Sequence, residues 1–258
     1  AAAALAFAAS GETNLVSEAV RRTHVSAYAD IETAYWARGA IVDKKPFSAQ
    51  YADLSFDLDP FGRIGGYAWS VSSLATSGQS ADYEVDYGVY DGYGLELAEE
   101  WTLDTTVAKK WVTLPGYRPH ANTISEWNVS QSLKNLYVTP YYLLRRAYNG
   151  QHWCYWEVGL TRSWKFLEDF TFTATVFGEL GDSRHFAEQY GANPHGGRYS
   201  DGLMALNLML RLDYAVTEWL GVFAFVHQFD VVSSDARDAL DASTTPESRK
   251  DLTIGGVG

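Results

Sequence analysis

Residues 51–62 read YADLSFDLDPFG, and their period is two. Ala52, Leu54, Phe56 and Leu58 alternate with Tyr51, Asp53, Ser55 and Asp57, and an Asp-Pro-Phe-Gly turn signal follows. Successive side chains of a strand point to opposite faces, so this segment has one apolar face and one that carries carboxylates. In a soluble sandwich the apolar face looks into the core and the acids into water. In a membrane barrel the apolar face looks into lipid and the acids into a wet lumen.

The same period recurs from Val25 to the end of the chain, in about twelve segments. In SAYADIETAYWA, Ala27, Ala29, Ile31, Thr33 and Tyr35 share a face opposite Tyr28, Asp30 and Glu32. GYAWSVSSL groups Tyr67, Trp69 and Val71. DYEVDYGVY sets Tyr83, Val85, Tyr87 and Val89 against Glu84, Asp86 and Gly88. Trp101, Leu103 and Val107 oppose Asp104, Thr106 and Lys110, and Trp127 and Val129 mark the outer face of TISEWNVSQ. LYVTPYYLL contains Pro140, which removes a ladder donor and predicts a bulge. Cys154, Trp156, Val158 and Leu160 oppose Glu157 and Thr161. Phe170, Phe172, Ala174 and Val176 oppose Thr171, Thr173 and Thr175. Leu206, Leu208, Leu210 and Leu212 oppose Asn207, Arg211 and Asp213. LGVFAFVHQF is apolar on both faces, and a last segment starts near Leu252.

The connections decide between the two assignments. DPFG, DGYGLELAEE, SLKN, KFLED and AVTE are mostly brief, whereas the connections after the first, third, fifth, ninth and eleventh segments are longer and polar, including those from Gly181 to Asp201 and from Val231 to Asp251. Short turns on one side and long loops on the other are the habit of outer-membrane barrels, and a soluble sandwich has no reason to segregate loop length by parity. The expectation is therefore a transmembrane antiparallel up-and-down β-barrel of about 12 strands in the bacterial outer membrane, with both termini on the periplasmic side. Residues 25–258 form the barrel. Residues 1–24 hold the Ala-rich run AAAALAFAAS, which resembles the end of a signal peptide, and a short helix over SGETNLVSEAVRRT capped by Ser10 or Thr13.

Composition narrows the chemistry. No apolar run approaches the length of a membrane-spanning helix, so a membrane protein with this sequence must be a closed barrel. Aromatics reach 15%, a supply suited to membrane interfaces. The formal net charge of −12 argues against nucleic acid as a partner. Cys154 is the one cysteine, which excludes a disulfide framework, and the six histidines have no metal-ligand spacing. No metal and no cofactor is expected. The partners expected are outer-membrane lipid or lipopolysaccharide, small solutes or cations, and a protein of a larger envelope assembly.

The acids of the inward faces are the candidate site. Asp30, Glu32, Asp53, Asp57, Glu84, Asp86, Asp104, Glu157, Glu179 and Asp213, with the bases Lys110 and Arg211, are the expected pore-lining residues. A carboxylate-rich wall attracts cations and repels anions. The competing expectation is a plugged interior in which these acids pair with Arg21, Arg22 and the lumen bases. An enzyme is the third reading, because outer-membrane phospholipases are barrels of similar size that use Ser, His and Asn. HANTIS offers His120, Asn122 and Ser125, but His120 falls in an expected loop, so no catalytic residue is assigned.

Three stretches also resemble the TorF-like porin family of outer-membrane barrels. IETAYWARG resembles the family's first strand, YEVDYGVYDGYG its acidic-aromatic strand and Gly-containing turn, and WVTLPGY its aromatic Tyr-Pro-Gly segment. The chain departs at Leu114, where the family usually has Tyr, and at Ile31-Glu32-Thr33, where Ser-Asp-Tyr is commoner. The resemblance implies passive passage of small solutes.

Overall fold

The computed structural model describes residues 22–37, 40–43, 45–58, 62–74, 82–113, 123–135, 137–149, 152–242 and 250–258. The strands are β1 (Thr23–Glu32), β2 (Tyr35–Ala37), β3 (Ala40–Asp43), β4 (Phe47–Asp57), β5 (Arg63–Ser73), β6 (Asp82–Ala98) and β7 (Trp101–Thr113). They continue as β8 (Ile124–Lys134), β9 (Thr139–Ala147), β10 (Cys154–Phe166), β11 (Phe170–Gly181), β12 (Gly202–Ala215), β13 (Gly221–Val231) and β14 (Asp251–Val257). Two short helices interrupt them, α1 (Ser183–Tyr190) and α2 (Ser234–Ala242). The expected N-terminal helix lies outside the described residues except for its last two positions, Arg22 and Thr23, and Thr23 starts β1 instead, two positions before the expected boundary of the barrel.

Strands β1 and β4–β14 form one closed antiparallel barrel of 12 strands, and β2 and β3 pair as a separate hairpin between β1 and β4. Each strand pairs with its neighbour in sequence, and β14 closes on β1 through Ile31↔Val257 and Glu32↔Gly256. At that seam the Thr33 N–H donates to Gly255 O at 3.0 Å. The turns after β4, β6, β8, β10 and β12 are short, and the loops after β5, β7, β11 and β13 are long. The two sides are called the turn end and the loop end below.

Register fixes the faces. Leu206, Leu208, Leu210 and Leu212 of β12 are exposed, while Asn207 between them is buried. Val25, Ile31, Leu54, Val89, Val158 and Val176 are likewise exposed on the outer surface. Aqueous exposure of so much apolar surface would be unfavourable, whereas lipid satisfies it. Trp101 and Trp111 stand at opposite ends of the outward face of β7. At ~3.3 Å per residue and a tilt of ~40° they bracket ~25 Å along the barrel axis, the height of a lipid-facing band.

Two expectations are corrected. The stretch DGYGLELAEE, expected as a connection, instead continues β6 as far as Ala98. The face shared by Tyr67, Trp69 and Val71, which alternation alone leaves unassigned, turns inward, because Tyr67 pairs with Asp53 and Val71 with Ala49 on the inward side of β4. The expected bulge at Pro140 does not form. Pro140 pairs in register with Leu160, and the β8–β9 register begins only at Ser132↔Tyr141. The missing N–H thus falls beyond that ladder, where it breaks no bond.

The apolar core sits at the loop end. Phe186, Tyr199, Met204, Phe229, Val231 and Ala236 form one buried cluster under α1 and α2. Val112, Ile124, Ala147, Trp153 and Tyr155 form a second, and Phe47, Ala49 and Val71 a third.

Candidate channel lumen

All twelve expected residues lie on the inward-pointing face by register. Asp30, Glu32, Asp53 and Asp57 come from β1 and β4, and Glu84, Asp86, Asp104 and Lys110 from β6 and β7. Glu157, Glu179, Arg211 and Asp213 come from β10 to β12. They do not form one ring. They divide between the two ends of the lumen.

At the loop end the acids are buried in a hydrogen-bonded cluster. The Tyr155 hydroxyl donates to Glu179 and lies 3.3 Å from Glu157 Oε2, and Tyr141 donates to Glu157 Oε1 at 2.9 Å. Asn207 bridges the next strand. Its amide donates to Glu179 at 3.2 Å, and its oxygen lies 2.8 Å from His227 Nε2. Glu179 is fully buried, so these donors replace the water its carboxylate has lost. Nearby, Lys110 pairs with the buried Asp86.

Helix α1 roofs this cluster. Asp182 caps it by accepting the His185 N–H at 2.8 Å, and Gly191 ends it with φ of 80°. Asp182 also accepts the Cys154 N–H at 2.9 Å, which ties the helix start to β10. The His185 ring packs on Trp153 and Tyr155 with centroids 4.8 and 5.2 Å apart. Burial on the far end of α1 pushes the Tyr190 phenol above its ordinary range, with the Glu179 charge adding to the effect.

The turn end holds two cavities lined in part by small polar side chains. One cavity of about 580 Å³ is bounded by Thr106, Ser130, Ser132, Thr161 and Ser163. A second of about 700 Å³ is bounded by Asp57, Arg63, Tyr90, Gly92 and Gly94. Asp104, Thr106 and Lys134 line both. Here the acids meet bases. Asp57 accepts Arg63 Nε at 2.7 Å and lies 2.7 Å from His24 Nε2, Asp104 pairs with Lys134, and Arg211 donates to both oxygens of Asp213 at 2.6–3.1 Å.

Sequence reasoning missed several inward charges. Arg145 of β9 faces inward and stands over the Tyr155 ring at 5.6 Å, and Glu126 of β8 is fully buried. Arg63 and Lys134 sit at strand ends that read as turns in the sequence. Pairing across the barrel, rather than alternation within a strand, reveals them. His120 and Asn122 lie outside the described residues, and Ser125 is on the outward face of β8, opposite Trp111.

No family model matches the sequence, and no curated protein matches it. Solved structures do match in fold. The chain is similar to outer membrane phospholipase A from Escherichia coli, with a TM-score of 0.50 and 13% identity over 96% of this chain and 97% of that one. It is also similar to the NanC porin (TM-score 0.48, 11% identity, 90% and 98% covered) and the KdgM porin (TM-score 0.47, 10% identity, 91% and 97% covered). At this identity the likeness to the phospholipase speaks for the barrel fold alone.

Proposed function

We propose that this chain is a non-enzymatic porin of the Gram-negative outer membrane, a passive diffusion channel for small solutes and ions with cation preference. The observation that carries the reading is the inversion of faces: an apolar outer surface surrounds an inward face of Ser, Thr, Gly and carboxylates, with cavities at the turn end. Such a wall solvates a passing solute while the outer wall is held by lipid. Asp30, Asp53 and Glu157 accept hydrogen bonds from the neutral donors Ala49, Tyr90 and Tyr141 and supply the negative field, while the buried Glu179 closes the loop-end cluster. The other expected pore-lining residues, Glu32, Asp57, Glu84, Asp86, Asp104, Lys110, Arg211 and Asp213, complete the wall, several as ion pairs that weaken the preference. The resemblance of IETAYWARG, YEVDYGVYDGYG and WVTLPGY to the TorF-like porins supports the same reading.

Outer-membrane lipid is the expected surround, and lipopolysaccharide suits the loop end. Lys109 faces outward there, 5.0 Å over Trp111 and 6.0 Å from Trp127, and Arg146 pairs across from Trp127. Basic groups among interfacial rings fit phosphate headgroups.

A second reading is favoured by the cluster under α1 and α2: a structural barrel with a closed lumen, associated with an envelope assembly. Liposome swelling separates the two. Purified full chain reconstituted in liposomes should admit small neutral solutes such as glycerol faster than control liposomes, with the rate falling as solute size grows. Swelling no faster than in control liposomes contradicts the channel and favours the structural barrel.

A further inference from the structure

Four tyrosines form a continuous row of rings on four adjacent strands, a third of the twelve in the barrel. Tyr28, Tyr51, Tyr67 and Tyr90 come from β1, β4, β5 and β6, and their ring centroids are 5.1, 6.1 and 6.5 Å apart in turn. Phe223 of β13 continues the row, 6.3 Å from Tyr28. The spacing has a cause in the sequence. A Cβ on Gly65 would come within 2.5 Å of the Tyr90 ring, one on Gly88 within 2.7 Å of Tyr67, and one on Gly258 within 2.4 Å of Phe223. Each inward glycine is thus a seat on which a neighbour's ring lies against the wall. Seated this way, Tyr28 stacks on Tyr51 and Tyr51 on Tyr67, and Tyr51, Tyr67 and Tyr90 stay only half-buried, so part of each ring borders the lumen.

The face of an aromatic ring is electron-rich and attracts cations. The molecule shows this on its own row. The Arg211 guanidinium lies 3.8 Å from the Phe223 centroid, held there by Asp213. Among the described residues no guanidinium lies over the other rings of the row, which stand beside carboxylates. Asp53 accepts the Tyr90 hydroxyl at 3.1 Å, and Asp30 shares the inward face of β1 with Tyr28. A ring face next to a negative charge suits a cation with a weakly hydrated, apolar surface better than a small, strongly hydrated ion.

We infer that the tyrosine row is a binding subsite for organic monocations of the quaternary ammonium or guanidinium class. The inference rests on the channel reading for its access to solute, but its binding chemistry does not require conduction. Rings that bind such a cation would hold it at mid-lumen, so its passage should be slowed relative to potassium.

Two measurements on the purified full chain test this. In planar bilayers with potassium chloride, millimolar tetramethylammonium or guanidinium should reduce single-channel current, while equal sodium should not. The double variant Tyr51→Leu/Tyr67→Leu should weaken the block roughly threefold to tenfold, as loss of a cation–π contact implies, and Tyr51→Phe/Tyr67→Phe should keep it. In detergent micelles, saturation-transfer NMR should show transfer from the protein to the tetramethylammonium methyl protons, lost in the Leu variant and kept in the Phe variant. Transfer without any conduction would sink the channel reading and leave the subsite standing. Conduction without transfer, or an equal block in the Leu variant, would overturn the subsite. A neutral disaccharide that competes as well as tetramethylammonium would overturn the cation class.

Discussion

At the loop end, Met204, Phe229 and Val231 pack under two helices, and Glu179 has exchanged water for Tyr155 and Asn207. At the turn end, Thr106, Ser130, Ser132 and Ser163 line open cavities, and Asp57, Asp104 and Asp213 are paired with bases. The strands and the lipid-facing surface are the same at both ends. What differs is how the inward acids are held: by buried hydrogen bonds and the buried Lys110–Asp86 pair at the loop end, and by exposed ion pairs beside cavities at the turn end. Packed cores and dry polar clusters resist deformation, whereas exposed ion pairs contribute little stability. The loop end is therefore the expected constriction and the turn end the vestibule.

The contrast can be broken most sharply in the core. Phe229→Ala removes a fully buried ring from the loop-end cluster and should cost about 3–5 kcal/mol. Urea unfolding in lipid vesicles measures it, and a cost near zero would mean that the cluster is not packed as described. Next in size is Leu208→Arg, which puts a charge on the lipid face and should cost about 2–4 kcal/mol near the midplane. Thr173→Arg, inward on β11 at the turn end, should be far milder in the same assay. Equal damage from both would reverse the assignment of inside and outside. The smallest effect belongs to the vestibule. Asp104→Asn breaks the pair with Lys134, whose side chain is 64% exposed, and should cost about 0–1 kcal/mol. A loss as large as that of Phe229→Ala would remove the distinction between the ends.

The barrel itself was legible because period-two alternation and loop-length parity are local signals, read along β4, β11 and β12 without knowing their partners. The inward position of Asp53, Glu157 and Asp213 followed from the same alternation. The helices were not seen. The loop from Gly181 to Asp201 read as polar connection, although Asp182 as cap and Gly191 as stop frame α1 in the sequence. Arg145 was hidden by Pro140, which spoiled the pattern of β9, and Arg63 and Lys134 by their places at strand ends. Alternation leaves the face of Tyr67, Trp69 and Val71 unassigned, because these residues are apolar yet line the lumen. Their seat is fixed by pairing with β4, a contact between strands that alternation cannot contain. The tyrosine row is of the same kind, since its rings come from four strands.

Charge selectivity tests the central claim most directly. The full chain in planar bilayers, under a potassium chloride gradient, should give a reversal potential that reports potassium as the preferred carrier. The preference should shrink as salt rises from about 0.1 M to 1 M, because the screening length falls from about 10 Å to 3 Å. Asp53→Asn with Glu157→Gln should lower it further at low salt, while Asp104→Asn, already paired with Lys134, should change it less. A reversal potential that reports chloride as the preferred carrier would contradict the account.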